Sequence, residues 1–363
     1  MAVYPPKQAK EPPLLERGPI AWVRHNLLSS PFNIAFTVLG IAILYMIVPP
    51  FIKWAFLDAN FIGNSKADCT GDGACWVFIR VKLNMFLFGF YPADQLWRPK
   101  LAIGSILALV AFAKFVPGLH RLKLALIVLY PIFAFILLHG GYFGLPVVET
   151  AKWGGLLLTL VIATVGIVLS FPIWILLALG RQSRLPIIKS LSVFYIEFVR
   201  GVPLITVLFM ASVVLPLFFP EGVNFDKLAR ALIGITLFEA AYVAENIRSG
   251  FQAIPKGQYE AADSLGLSYW QKMGLVILPQ AIKVTIPNLV GTFISLFKDT
   301  SLVMIIGLFD LLSMVTVTAN DRDWLGMETE GYVFAAFIFW IFTFSMSMYS
   351  KRLEKKLNTD KGK

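Results

Sequence analysis

Apolar residues in this chain gather into runs of about twenty, divided by short polar stretches, instead of recurring every three or four positions as on a surface helix. A membrane-crossing helix needs ~20 mostly apolar residues to traverse ~30 Å of hydrocarbon. Such runs occupy roughly 33–56, 101–118, 123–140, 153–180, 202–219, 229–247, 276–297 and 331–350. The pattern therefore predicts an all-α membrane protein with about eight transmembrane helices. A further apolar run, 297–315, follows a span directly. It is expected to be re-entrant or to lie outside, because a ninth span would put the two termini on opposite sides.

Composition agrees with the pattern. At 57% hydrophobic and 15% charged residues, with a mean hydropathy of +0.72, a soluble chain of this size would expose large apolar patches. The net charge of +10 does not indicate nucleic acid, since the Lys and Arg residues sit in short loops beside apolar runs, as the positive-inside rule expects. Lys7, Lys10, Arg17 and Arg24 at the N-terminus and KRLEKKLNTDKGK at the C-terminus place both ends in the cytoplasm. The first apolar run lacks a small-residue cleavage site and is expected to be retained. Residues 57–100, the surroundings of Glu149 and Glu221, and the acidic stretch 321–330 fall outside. In the first of these, Cys69 and Cys75 form either a disulfide or two unpaired thiols. The aromatic stretch FLFGFYPADQLWRP suits the membrane interface. Three histidines, at 25, 120 and 139, are too scattered for a metal site.

Near residue 150 the character of the chain changes. Residues 1–150 read as an N-terminal segment, three accessory helices and an outer loop. Residues 151–353 read as a five-helix core, and 354–363 as a basic tail. The three accessory spans carry few interior charges, whereas the core has Glu197, Arg200, Glu239, Glu245, Lys298 and Asp299 in or beside its apolar runs. The core is also interrupted by a polar, small-residue hairpin, Gln258 to Gln280. There a first helix would put Ala261, Ala262 and Leu265 on one face. Gly266 would take the positive φ of a helix stop. Ser268 and Gln271 have the spacing of a capping box, starting a second helix with Trp270, Met273, Gly274 and Ile277 on one side and Pro279 at its end. By itself the hairpin is either an amphipathic connector or a docking element.

Glu260, Ala261, Ala262, Gly266, Leu278 and Pro279 reproduce the spacing of the EAA loop in permease subunits of ATP-binding-cassette importers. The flanking segments YIEFVRGVPLITVLF, AYVAENIRSGFQAIPKGQ and PNLVGTFISLFKDTSL resemble permeases of the polar amino acid group, in the same order. The resemblance covers about 150–353, departing at Val276, where the pattern usually has Ile. With its N-terminal extension the chain resembles the larger permease of a general L-amino acid importer. That resemblance implies a type I importer core of five helices plus a cytoplasmic coupling helix, in a bacterial inner membrane. It also implies a paralogous second permease, two copies of an ATPase that binds ATP and Mg, and a periplasmic amino-acid-binding protein. No cofactor is expected in this chain, which has no G-x-x-x-x-G-K-S/T phosphate loop. An ion-gradient-driven secondary transporter is the alternative, but it would normally show repeats and broken helices in both halves.

A charge inside a membrane span costs ~2.5–3.5 kcal/mol on insertion scales, so it faces protein or water. Glu239 either meets the α-ammonium of an amino acid or neutralises Arg200 or Lys298. Tyr242 shares its face, and Glu245 lies nearer the cytoplasmic end. Asn288, Thr292, Ser295 and Asp299 form a polar stripe that either lines a cavity or holds helices together. Glu197 and Arg200 are expected to form a structural ion pair.

Overall fold

The computed structural model describes residues 18–220 and 225–359. Lys7, Lys10, Arg17 and Glu221, used above to orient the chain, lie outside the described residues, as do the last four residues of the tail. Two compact units meet between Val77 and Phe78, earlier in the chain than the change of composition near residue 150.

The first unit contains α1 (Gly18–Asn26) and α2 (Pro31–Ile52). Ser30 caps α2 by accepting from the Asn33 amide, and Pro31 follows at the first turn, where its missing N–H costs nothing. A π-turn, Lys53–Leu57, leads into a loop that returns on itself. The Asn60 amide donates to the Ala74 carbonyl (2.8 Å), and the Trp76 amide donates to that of Asn60 (2.9 Å). Cys69 and Cys75 are joined by a disulfide.

The second unit contains most of α3 (Trp76–Phe88), then α4 (Trp97–Phe115), α5 (His120–His139), α6 (Gly155–Arg181), α7 (Pro186–Gly201) and α8 (Leu204–Phe209). It continues with α9 (Lys227–Ala253), α10 (Lys256–Ser264), α11 (Tyr269–Gln271), α12 (Leu278–Asp299), α13 (Leu311–Ala319) and α14 (Glu328–Thr359). Across the described residues, six helical segments are long and apolar enough to cross a membrane. A seventh is obtained by counting Pro186–Gly201 and Leu204–Phe218 as one span bent by 104°. The expected span over 202–219 is therefore the second arm of a longer broken segment. Pro203 explains the break: it holds Val202 in extended conformation (φ −107°, ψ 134°), which a helix cannot continue.

The expected span over 229–247 is α9, with 27 residues. Arg230, Glu239, Glu245 and Arg248 make it too charged to qualify on composition. Its surroundings explain how such a helix is tolerated. It packs against α6, α7 and α12, and Ala231, Gly234, Ala240, Ala241, Ala244 and Gly250 are among its fourteen buried residues. Small side chains let neighbouring backbones come close where lipid offers no hydrophobic drive. One face of α9 contributes Leu228, Ile235 and Phe238 to a cluster with Leu157, Leu158 and Leu208. Further along, Val243, Ile247 and Phe251 join Trp174, Ile196, Met273 and Ile277. Both hydrophobic clusters thus share this helix.

After α12 comes a 3-10 turn, Thr300–Ile306, and then α13. The nine residues of α13 rise only ~14 Å, well short of the membrane. Fully buried Asp310 caps α13 by accepting from the Ser313 amide at 2.9 Å. The aromatic stretch expected at the membrane interface divides: Phe88 and Tyr91 are buried, whereas Phe90 and Trp97 are exposed. The cause is the C-terminus of α5, whose last carbonyls have no partner within the helix. Arg98, wholly buried, donates to the carbonyls of Leu137 (2.6 Å) and Pro146 (2.9 Å). Tyr91 donates to that of Leu138 (2.8 Å). In the acidic stretch 321–330, Lys82 donates to Asp321 at 2.6 Å, and this bond holds the Asp321 carboxyl below the usual carboxylate range.

α9 and α12 approach closely at Gly250, where an added Cβ would stand 2.7 Å from the Ala281 carbonyl oxygen and 2.7 Å from the Thr285 methyl. We expect Gly250→Val to push these helices apart and destabilise the protein by ~1–3 kcal/mol, as overpacking does. Thermal unfolding of the solubilised protein should show a lowered Tm.

Candidate coupling hairpin and substrate path

The helix that opens the hairpin, α10, begins three residues after α9 ends. Pro255 precedes α10, which ends at Ser264 and is capped by Leu265, and Gly266 then takes φ +71°, a conformation that L side chains rarely adopt. Ser268 accepts from the Gln271 amide (3.4 Å), while the Gln271 side chain accepts from the Ser268 amide (2.9 Å). This is the capping box that starts α11. The arms are tied by Lys272 to Asp263 (2.5 Å) and by Gln280 to Gln258 (3.0 Å).

Two expectations need correction. Pro279 does not end the second helix, which runs on from Tyr269 to Ile306 as one long segment. A π-turn, Lys272–Ile277, precedes Pro279, which sits in the first turn of α12; a proline there removes no bond that the helix needs. The predicted faces are also divided. Ala262 is buried while Ala261 and Leu265 are exposed, and Met273 and Ile277 are buried while Trp270 and Gly274 are exposed. The hairpin is anchored through Ala262, Met273 and Ile277, with Leu278 partly buried against the same cluster. It presents Glu260, Ala261, Gly266 and Pro279 at the surface. Leu265 (78% exposed), Trp270 (67%) and Leu275 (72%) add an apolar patch of the type found at protein interfaces.

On the helices leading to the hairpin, ionic groups converge. Glu245 of α9 meets Arg248 at 2.6 Å, Arg181 of α6 at 3.2 Å and Arg200 of α7 at 3.9 Å. Glu197 joins the same set, 2.9 Å from Arg181 and 3.8 Å from Arg200. The expected Glu197–Arg200 pair is thus the edge of a five-residue network centred on Glu245. Arg248 was legible from its spacing three residues after Glu245. Arg181 was not, because it comes from the far end of another helix.

Glu239 is buried, and its Oε1 has no hydrogen-bond partner. Arg200 is engaged by Glu197 and Glu245, and neither it nor Lys298 pairs with Glu239 among the described residues. Asp299 on α12 is near enough for its charge to act on Glu239. Two turns along the same seam, Asn246 donates to Thr292 at 2.7 Å, a contact that the sequence reading missed. The Tyr242 hydroxyl reaches the Arg200 carbonyl at 3.4 Å, and the Arg200 guanidinium stands 5.7 Å from the Tyr242 ring centre. Thr292 and Asp299 are half-buried, whereas Asn288, Ser295 and Lys298 are exposed. The polar stripe therefore runs along the rim of the α9–α12 seam and is left uncovered by this chain.

Removing the carboxylate of Glu245 would leave three arginines with one half-exposed partner, Glu197. We expect Glu245→Ala to destabilise the fold by about 2 kcal/mol, between the values for surface and buried ion pairs, and Glu197→Ala by less than ~1 kcal/mol. Thermal unfolding of the two variants side by side would show this order.

A family model described as the binding-protein-dependent transport system inner membrane component matches residues 170–359. The chain is 58% identical to the inner membrane amino-acid ABC transporter permease protein YhdY of Escherichia coli (strain K12), over 94% of this chain and 93% of the relative. It is 42% identical to the glutamate/glutamine/aspartate/asparagine transport system permease protein BztC of Rhodobacter capsulatus, over 96% of each. The probable glutamine ABC transporter permease protein GlnP of Bacillus subtilis matches at 35% identity over 56% of this chain and 91% of its own length. These matches set aside the secondary-transporter alternative and, with the apolar helices, place the chain as a multi-pass inner membrane protein. The chain belongs to the family of inner membrane components of binding-protein-dependent transport systems, as a transport subunit of the ABC importer type.

Proposed function

We propose that this chain is the permease subunit of an ATP-driven importer that moves L-amino acids from periplasm to cytoplasm, with the hairpin 258–280 receiving the motion of a separate ATPase. The observation that carries this reading is the division of the hairpin: Ala262, Met273 and Ile277 lock it to the core, while Glu260, Leu265 and Trp270 face outward. A rigid, exposed element continuous with α12 and joined closely to α9 through α10 can pass a push to both helices. The amino-acid substrates named for the similar permeases support the cargo class. ATP and Mg belong to the ATPase in this reading, with two ATPase copies per assembly.

A paralogous second permease would cover the open face of α12, where Asn288, Gly291 and Ser295 are exposed, and close the path along Glu239, Tyr242, Thr292 and Asp299. A periplasmic binding protein would load that path from outside. Both termini and the hairpin lie in the cytoplasm, and the basic residues Arg181, Arg248, Lys256 and Lys272 favour this orientation. The carboxylates of Glu239 and Asp299 are suited to the α-ammonium group shared by all amino acids.

Combined Glu260→Ala and Gly266→Val substitutions should abolish co-purification of the ATPase while the permease still inserts in the membrane; undiminished association would refute docking at the hairpin. Glu239→Gln should keep the ATPase bound but lower uptake by about tenfold or more, the loss expected for one charge-assisted contact. Wild-type uptake in a well-assembled complex would remove Glu239 from the path.

A further inference from the structure

The last helix has two unlike faces. Phe339 and Phe342 pack on Phe297 of α12, with ring centres 5.3 and 5.4 Å apart, and Ala335 is fully buried on the same side. On the opposite side, Phe337, Trp340, Phe344 and Met348 are all exposed. Their rings form a ladder: Phe337 stacks on Trp340 at 6.1 Å, and Trp340 on Phe344 at 5.1 Å. α14 then continues without a break to Thr359, so the stretch expected to be a tail begins as helix. At 100° per residue, Lys351 and Lys355 fall in line with Phe344 and Met348, with Arg352 beside them and Glu354 to one side. The exposed face thus changes from large apolar side chains to cations within about one helical turn, or ~5 Å.

We propose that this face of α14 binds an anionic phospholipid, with acyl chains along Trp340, Phe344 and Met348 and the headgroup phosphate held by Lys351, Arg352 and Lys355. The positive-inside rule requires cations somewhere beyond a span, but not in register with one exposed apolar stripe. Charge and depth match such a lipid: the apolar ladder lies within the hydrocarbon, and the cations begin where a headgroup would be. A protein occupant is disfavoured by contrast with α12, whose uncovered face offers Asn288, Gly291 and Ser295, the small and polar residues that helices use to pack in membranes. The proposal requires only that α14 spans the bilayer and is independent of which cargo the importer carries.

The assembled importer would be reconstituted in nanodiscs of equimolar phosphatidylglycerol and phosphatidylethanolamine, re-extracted in mild detergent, and its retained lipids quantified by mass spectrometry. We expect the wild type to retain phosphatidylglycerol preferentially. Substituting Gln at Lys351, Arg352 and Lys355 should cut that retention by about fivefold per cation, whereas Lys351→Arg with Lys355→Arg should preserve it. Arg184→Gln with Lys189→Gln, the same kind of charge change in the loop before α7 and in its first turn, should leave it intact. Equal retention of both lipids by the wild type, no loss in the triple variant, or equal loss in the loop control would overturn the proposal. A photoreactive side chain at Phe344 should crosslink to lipid; crosslinking to another subunit would overturn it in favour of a protein interface. ATPase co-purification, measured on the same samples, separates failure of the lipid site from failure of the importer reading.

Discussion

A carboxylate shared among arginines is the constraint on which the core depends. Glu245 stands on α9 where α6 and α7 converge, and Arg181, Arg200 and Arg248 reach it from three helices. Charges drawn out of water are tolerable only when opposite charges meet them at short range. Because the arginines come from separate elements, satisfying them fixes the relative positions of those elements. The bend that Pro203 imposes at Val202 follows two residues after Arg200, so the network holds the end of the first arm of that broken span.

From this fixed end, α9 leads directly to the hairpin. Its small residues admit α6 and α12 at close range, and the contact at Gly250 joins α9 to α12 next to α10. The hairpin is therefore supported at both ends by packed helices and closed across its middle by the Lys272–Asp263 and Gln280–Gln258 contacts. A displacement applied to such an element reaches the α9–α12 seam, where Glu239, Asp299, Asn246 and Thr292 lie. The same seam has an uncovered polar edge, while α14 shows one that is apolar up to its terminal cations. The core thus distinguishes a side suited to protein from a side suited to lipid.

Local features were the most legible in the sequence. Gly266 at positive φ and the Ser268–Gln271 capping box each depend on a few neighbouring residues, and each is found in the structure. Misreadings arose where the environment overrode local pattern. Trp270 was placed on one side with Met273 and Ile277 but is exposed where they are buried, because the π-turn at Lys272–Ile277 departs from α-helical spacing. Pro279 was read as a terminator, yet a long helix passes through it. The aromatic stretch before Trp97 looked interfacial, although Arg98 and Tyr91 are drawn inward by the unpaired carbonyls ending α5.

By itself the amino-acid sequence determined that the protein is helical and lives in a membrane, where its charged core and its polar hairpin lie, and which family it resembles. These properties follow from hydropathy and short-range spacing, which each segment carries wherever it is placed. Only the tertiary structure decided which arginines serve Glu245, that Glu239 has no pairing cation among the described residues, and which faces of α12 and α14 remain uncovered. Those outcomes depend on side chains far apart in the chain competing for the same partner, and that competition is settled by packing.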